Sequence, residues 1–407
     1  MEEMILQDIC KIYDCPHTTA KDEGVGIPLV RTPNVGKGRL VLTNVHRVNS
    51  DVYKKRTLRA IPEEDDIIIA REAPVGNAAI IQKKQKVCLG QRVVLLKPNK
   101  ALVDPNFLVY YLLSNEVQHH LKIHANGAVV AHLNVADIRN LSVCLPSLCE
   151  QKKIGKSLKI IDDKIELNRR INDNLEQQAQ ALFKSWFVDF EPFKDGKFVE
   201  SELGMIPEGC RVGKAEDFYN INIGKTPPRK EQVWFSSNSS DYIWVSISDL
   251  GSCGRFVLTS SELLTHEAIK KYNIILVPKD TILLSFKLTI GRVGIAGTEL
   301  TTNEAIARFI TSDKNREYTY FLLKGYNYEK LGSTSSIATA VNSKIIKAMV
   351  VLMPDKEILK AFSSLTKPYF DQILRNDQES IRLTILRDTL LPKLMSGELK
   401  INATEVL

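Results

Sequence analysis

The chain has 407 residues, 44% of them hydrophobic and 25% charged, enough apolar content to close more than one core and too ordinary a composition for disorder throughout. No apolar run of about 18 residues occurs, and the opening MEEMILQDIC is acidic where a signal peptide would be basic, which predicts neither a membrane span nor export and points to the cytoplasm. With 55 basic and 48 acidic residues the net charge is +7, compatible with a polyanionic partner but far from a histone-like excess.

Residues 1–145 read as a first globular part, built from short Val/Ile/Leu runs between Gly and Pro, as in DDIIIAREAPVG and QRVVLLKP. After Pro146, Ser147 and Glu150 form a capping box that predicts the start of a long helix, assigned to 146–190. From there Ile154, Leu158, Ile161, Ile165, Asn168, Asn172, Leu175, Ala179, Leu182 and Trp186 recur at alternating spacings of four and three, the seam of a coiled coil. Residues 191–210 read as a linker, and 211–353 as a second globular part with the strand-like runs TILLSFKLTIG and EAIARFI.

Residues 354–407 read as a second long helix and tail, capped by Asp355, whose seam runs through Phe362, Tyr369, Ile373, Asn376, Leu383, Leu390 and Leu394. Pro368 interrupts this seam and predicts a kink or a restart near Lys367, and Arg387 on the seam predicts imperfect packing there. Two such helices can bury their seams on each other, with Asn168 and Asn376 fixing the alignment; alternatively each packs only on its own globular part. About 40 residues at about 1.5 Å each make a rod of roughly 60 Å, so an antiparallel pair would set the heads at opposite ends.

These two halves are one duplicated unit. NVADIRNLSVCLPSLCEQ from Asn134 matches NSKIIKAMVVLMPDKEIL from Asn342, and the same shift of about 208 residues carries Asp163, Ile165, Asn168, Leu175 and Leu182 onto Asp371, Ile373, Asn376, Leu383 and Leu390. Upstream the shift drifts to about 215, where IPLVRTPNVGKGRLV meets YIWVSISDLGSCGRFV and APVGNAAI meets LTIGRVGI, placing Gly76 beside Gly291. The fold class expected is α+β: two pseudo-symmetric globular domains separated by two long antiparallel coiled-coil helices.

Motifs for chemistry are missing where they would be needed. Cysteines 10, 15, 88, 144, 149, 210 and 253 contain no C-x-x-C pair, and the nearest metal-like group, Cys10, Cys15 and His17, reads better as reduced thiols near a core, so no metal is expected. Histidines 17, 46, 119, 120, 124, 132 and 266 lack metalloprotease spacing and read as surface or loop residues. A methyltransferase needs a base-holding [DNS]-P-P-[YFW] loop, and TPPR at Thr226–Arg229 lacks its aromatic. Gly224, Lys225 and Thr226 imitate the tail of a phosphate-binding loop, but Tyr219 stands at its first glycine and Pro227 and Pro228 follow. KDTILLSFK offers Asp280 and Lys287 to a nuclease, with Ser285 where a second acid is wanted. No catalytic residue is assigned.

The order of head, helix, head, helix, with LPSLCEQKKIG and IDDKIELNRRINDNLEQQAQALFKSWF in the first helical region, LGMIPEGCRV opening the second head and LRDTLLPKLMSGELKI near the end, resembles the specificity subunits of type I restriction-modification systems over the whole chain. The resemblance implies a non-catalytic, DNA-binding subunit. Each head would be a target-recognition domain reading one half of a split double-stranded DNA target, and the helices would dock two methyltransferase subunits. Nuclease-translocase subunits can join in that family, with S-adenosylmethionine, ATP and magnesium held by the partners and no cofactor in this chain. Rival readings are a self-contained nuclease or methyltransferase, and a coiled-coil scaffold whose heads bind proteins.

On that resemblance, affinity falls to Lys and Arg on loops and specificity to a few side chains at base edges. Candidates in the first head are Arg31, Asn34, Lys37, Arg39, Arg47, Lys54, Lys55, Arg56, Arg59, Arg71, Asn77 and Arg92; in the second, Lys225, Arg229, Lys230, Arg255, Lys287 and Arg292. Glycines 36, 38, 76, 251, 254 and 291 flank them, chiefly as turn makers. RTPNVGKGR against SISDLGSCGR gives aligned loops different chemistry, so the half-sites are expected to differ.

Overall fold

The computed structural model describes residues 2–125, 132–312, 314–331 and 341–401. They fall into two compact units, Met1–Ile165 with Arg382–Leu407, and Glu166–Ile381. Both divisions lie inside the long helices Leu148–Phe187 and Lys356–Met395, not at the joints between heads and helices. The reason is packing: each globular part completes its core with helix side chains.

In the first unit a five-stranded sheet runs in the order Cys10–Asp14, Val93–Pro98, Ile67–Ala70, Ala78–Ile80, Gly38–Arg39, antiparallel except for its last, parallel pairing. Alternate residues serve opposite layers. Ile67, Ile69, Val94 and Leu96 enter a core with Phe107, Leu112, Ile154, Leu158 and Leu394, while Ile68, Ala70, Val93 and Leu95 meet Val30 and Leu89 on the other face. Val30 and Leu89 belong to a small sheet of Arg47–Val48, Ile27–Val30 and Cys88–Leu89. Because both faces are covered, the central strand Ile67–Ala70 is an unbroken apolar run in sequence, and Val93–Pro98 opens with four apolar residues. A ladder between Glu2–Ile5 and Ser142–Leu145 ties the start of the unit to the segment entering the helix.

The second unit repeats this plan. Its five-stranded sheet is ordered Asn220–Ile223, Ile306–Ile310, Ile282–Ser285, Val293–Ala296, Phe256–Val257, again with a parallel last pairing. The small sheet has four strands, Phe235–Ser236, Glu262–Leu264, Tyr242–Val245 and Thr301–Thr302, and a ladder of Arg211–Lys214 with Val350–Met353 matches the terminal ladder of the first unit. The stretch 191–210, expected as linker, carries a short 3-10 turn, Glu191–Phe193, and a hairpin of Phe198–Ser201 with Gly204–Pro207.

The first long helix begins as its capping box dictates: the Glu150 carboxylate accepts from the Ser147 amide at 3.1 Å, and the Ser147 hydroxyl accepts from the Glu150 amide at 3.4 Å. Asp355 caps the second through the Ile358 amide at 2.9 Å. The expected break at Pro368 does not occur, since Lys356–Met395 is one helix. Ser364 and Pro368 are both exposed, so the backbone bond that proline forfeits lies on the wet side, while Phe362, Thr366 and Phe370 keep the other side packed.

Within each unit the two helices run antiparallel. In the second, Asn172 meets Asn376 and Phe187 meets Phe362; in the first, Asp162 meets Arg387. The seam therefore combines both expected arrangements, helix on helix and helix on head. Asn168 and Asn376 do not pair through their amides. Antiparallel register moves the partner by one turn: the Asn376 amide donates to the Asn172 oxygen at 2.8 Å, and Asn168 donates to Glu379 at 2.8 Å. Arg387 is satisfied on the seam by Asp162 at 2.8 Å, which also accepts from the Tyr110 hydroxyl at 2.7 Å.

Asp377 sits less comfortably beside this seam. One of its oxygens accepts from Asn172 at 2.7 Å and the other is buried without a partner. Burial pushes its carboxyl up to about 6, Glu176 adding to the push and Arg255 and Asn172 opposing it. A folded-state value above the unfolded one means that stability falls as pH rises from about 4 through about 6. Asp377→Asn is accordingly expected to stabilise the protein by about 1–2 kcal/mol near pH 7.5 and by almost nothing near pH 4, read from urea unfolding at the two pH values.

Candidate nucleic-acid interface

In each unit the loops of the five-stranded sheet gather at one end. In the first these follow Asp14 and Ala70 and precede Ala78 and Val93; in the second they follow Ile223 and Ser285 and precede Val293 and Ile306. Topology thereby brings Arg71, Asn77 and Arg92 to one end of the first sheet, and Lys225, Arg229, Lys230, Lys287 and Arg292 to the same end of the second. Gly76 and Gly291, aligned in sequence, both take positive φ, 81° and 89°, in the loop after the third strand of the sheet, a conformation that favours glycine.

The candidates at this end differ in availability. Arg71 is 7% exposed and turned inward, donating to Asp14 at 2.9 Å and the Leu133 carbonyl at 2.9 Å, with His132 Nε2 at 2.7 Å. An arginine has only donors, so His132 Nε2 accepts and its Nδ1–H points to Glu72 at 3.3 Å; Glu72 in turn pairs with Arg92 at 2.7 Å. Arg71 thus braces the loop on which the exposed Arg92 stands. Asn77 donates to the Val35 carbonyl at 3.0 Å.

Beside this end, the helix Ser50–Arg56 leans on the loop after Asp14: Arg56 donates to the carbonyls of Leu89 at 2.8 Å and Thr18 at 2.9 Å. That contact fixes the helix and leaves Lys54, Lys55 and Arg59 exposed. Asn34 closes its own turn through the Arg31 amide and the Val41 carbonyl, and the stem of Arg31 lies over Gly90, where any side chain would collide with it. Arg47 is held by the Gly26 carbonyl at 2.8 Å, and Lys37 is exposed. Arg39 goes elsewhere, pairing with Asp163 of the first long helix.

In the second unit Lys230 and Lys287 are exposed, and Lys225 reaches the carbonyls of Tyr272 and Asn273 at 3.2 Å. Arg292 donates to the Ile247 carbonyl at 2.7 Å. Arg229 pairs with Glu262 at 2.7 Å and lies 4.5 Å from the ring centres of Phe235 and Trp244. Arg255, aligned with Arg39, also turns to the long helix, meeting Glu176 and Asp173, each at 2.7 Å. Burial alone would raise the Glu176 carboxyl, yet Lys324, the Tyr320 hydroxyl and the charge of Arg255 hold it below the usual glutamate range.

Residues that sequence reasoning did not select support this arrangement. Tyr110 and Tyr320 each donate to a helix carboxylate, Asp162 and Glu176, at 2.7 and 2.6 Å. Arg308, 2% exposed, donates to the carbonyls of Ile223 and Ile275 from the middle of a sheet strand, tying down the loop that starts at Gly224. Its one signal is a charge inside the apolar run IARFI. The phenols give none, since pairing with a helix acid is set by tertiary approach.

The loop ends present cations on braced, glycine-turned segments. They lack a cluster suited to metal chemistry, there being no group of three or more His, Cys, Asp or Glu placed to hold a metal among the described residues. Cys10, part of the nearest metal-like group in the sequence, is buried, and burial pushes its thiol up to about 12. No helix among the described residues is long and apolar enough to cross a membrane.

A family model described as the type I restriction modification DNA specificity domain matches residues 1–177 and again 207–382. The MjaIX specificity subunit of a type I restriction enzyme from Methanocaldococcus jannaschii is 29% identical over 365 residues, covering 87% of this chain and 82% of the relative. The HindI specificity subunit from Haemophilus influenzae is 28% identical over 375 residues, covering 76% and 80%. Among solved structures, the S subunit of a type I restriction-modification system from M. genitalium superposes with a TM-score of 0.54 at 14% identity, covering 97% of this chain and 95% of that one, a likeness of fold.

Proposed function

Because the chain belongs to the type I restriction-modification DNA specificity family, we propose that it reads a bipartite, asymmetric DNA target, one half with each unit, and leaves chemistry to partner subunits. The observation that carries this reading is the duplication: two copies of one sheet present basic loops at the same end with different residues, as two half-sites of unlike sequence require. Exposed Lys54, Lys55 and Arg59 in the first unit, and Lys230 and Lys287 in the second, would neutralise phosphates. Braced residues such as Arg71 and Arg56 would hold the loops at the distance at which neighbouring side chains meet base edges.

The long helices would dock two methyltransferase subunits, which bring S-adenosylmethionine and flip the base to be modified out of the stack. Nuclease-translocase subunits, with ATP and magnesium, would complete a restriction complex. In this division of labour the chain itself has no catalytic residue.

The test is a head exchange. The chain is produced with methyltransferase subunits, methylated adenines are mapped, and residues 1–145 are then replaced by the head of a relative with another target. One half of the methylated motif is expected to change while the other stays. An unchanged motif, or the loss of any split motif in the unaltered complex, would overturn the reading.

A further inference from the structure

We propose that Arg229 reads a guanine in the half-site of the second unit, held in reading position by Glu262 and by the corner between Phe235 and Trp244; the assignment rests on the DNA-recognition reading above. Arg229 follows Pro227 and Pro228 in the loop after Ile223, where the backbone has little freedom. Its side chain is 48% exposed, yet it is not loose. Phe235 and Trp244 meet edge to face, 5.6 Å apart at 74°, and the guanidinium carbon lies 4.5 Å from both ring centres. Trp244 is 1% exposed, and its indole N–H donates to the Lys225 carbonyl at 3.1 Å, so the aromatic corner is fastened to the loop it supports.

The choice of ligand follows from the hydrogen bonds. Nη1 alone engages Glu262, at 2.7 and 2.8 Å to its two oxygens. Among the described residues the Nε and Nη2 hydrogens have no partner, and these two donors form a parallel pair that matches O6 and N7 of guanine in the major groove. A phosphate would fit the same edge by shape, but the Glu262 carboxylate already offsets the arginine's charge and repels an anion. Guanine offers two acceptors without a net charge, so it keeps the fit and avoids the repulsion. A side chain stacked and paired before binding also gives up less rotamer freedom on contact, unlike its exposed neighbour Lys230. In the first head the position of Trp244 is taken by Leu29, so the device is specific to the second half-site.

The test uses the chain assembled with methyltransferase subunits and selection from a random duplex library. The unaltered complex is expected to prefer guanine at one position of the second half-site by about 10- to 100-fold, and Arg229→Ala to reduce that preference below about 3-fold with the first half-site unchanged. Arg229→Lys should lose it as well, because an ammonium cannot make the paired contact, and this variant decides the matter if the alanine variant fails to fold. Glu262→Gln should retain part of it. Two results would overturn the assignment: a second half-site that keeps its motif in both Arg229 variants, or a uniform loss of affinity with the salt slope reduced by about 1, the mark of a phosphate contact. If the unaltered complex shows no split preference, the DNA-recognition reading itself fails, and that outcome is visible without any variant.

Discussion

Replacing Phe362 with alanine is expected to lower the stability of the second unit by about 3–5 kcal/mol, the range for deleting a buried aromatic ring. The ring is fully buried and lies 5.0 Å from that of Phe187, 5.9 Å from Trp186 and 6.3 Å from Phe183, all on the first long helix. It also belongs to the core that contains Ile282, Leu284 and Phe309 of the five-stranded sheet, so the cavity would open between helix pair and head at once. Urea unfolding followed by tryptophan fluorescence measures the loss. Leu365→Ala on the same helix, at a position 46% exposed, should change stability by less than about 0.5 kcal/mol. Equal effects from the two substitutions would mean that the seam is not packed as described.

Arg316→Met is expected to cost a similar amount, about 3–5 kcal/mol, for an electrostatic reason. Arg316 and Glu317 are 4% and 0% exposed, and Arg316 donates to Asp280 at 2.7 Å and Asp371 at 3.2 Å besides its neighbour Glu317. Burial pushes the Glu317 carboxyl up, and the arginine's charge pulls it back. Without the arginine that restraint is gone, so Glu317 keeps its proton to higher pH in the folded state than in the unfolded one. A raised folded-state value makes stability fall as pH rises, so the penalty in Arg316→Met should shrink as the solution is taken down towards about pH 4. Adding Glu317→Leu should return part of the loss at neutral pH, because it removes the fully buried carboxylate that the arginine leaves unpaired, while Asp280 and Asp371, both partly exposed, still lose their partner. Thermal melts of the two variants across that pH range check both statements. A double variant no more stable than the single one would show that the ion pair is not what Arg316 contributes.

Phe362 lies on a heptad seam that can be counted off from Asp355, and the capping box at Ser147 places the start of the first long helix, so both are legible in the sequence. The strands are visible there too, because sheets covered on both faces leave apolar runs such as IIIA and ILLS. Pro368 misleads because a local rule names the missing bond without saying which side of the helix faces water. The expected Asn168–Asn376 pairing is off by one turn because equal register in a repeat is not equal register in an antiparallel pair.

For the candidate interface, the sequence supplies basic residues on glycine-flanked loops but cannot sort them. Arg39 and Arg255 look like loop cations and turn to helix carboxylates; Arg71 and Arg56 brace loops; Lys54, Lys55, Lys230 and Lys287 stay exposed. Sequence by itself determined the duplication, the order of heads and helices and the family, because these are carried by local periodicity and by residues in fixed order along the chain. Tertiary structure alone decided which cations are spent inside and which are free for a ligand, because a long side chain's partner depends on what the fold brings within about 3 Å of its tip, and that distance is not written in the order of residues.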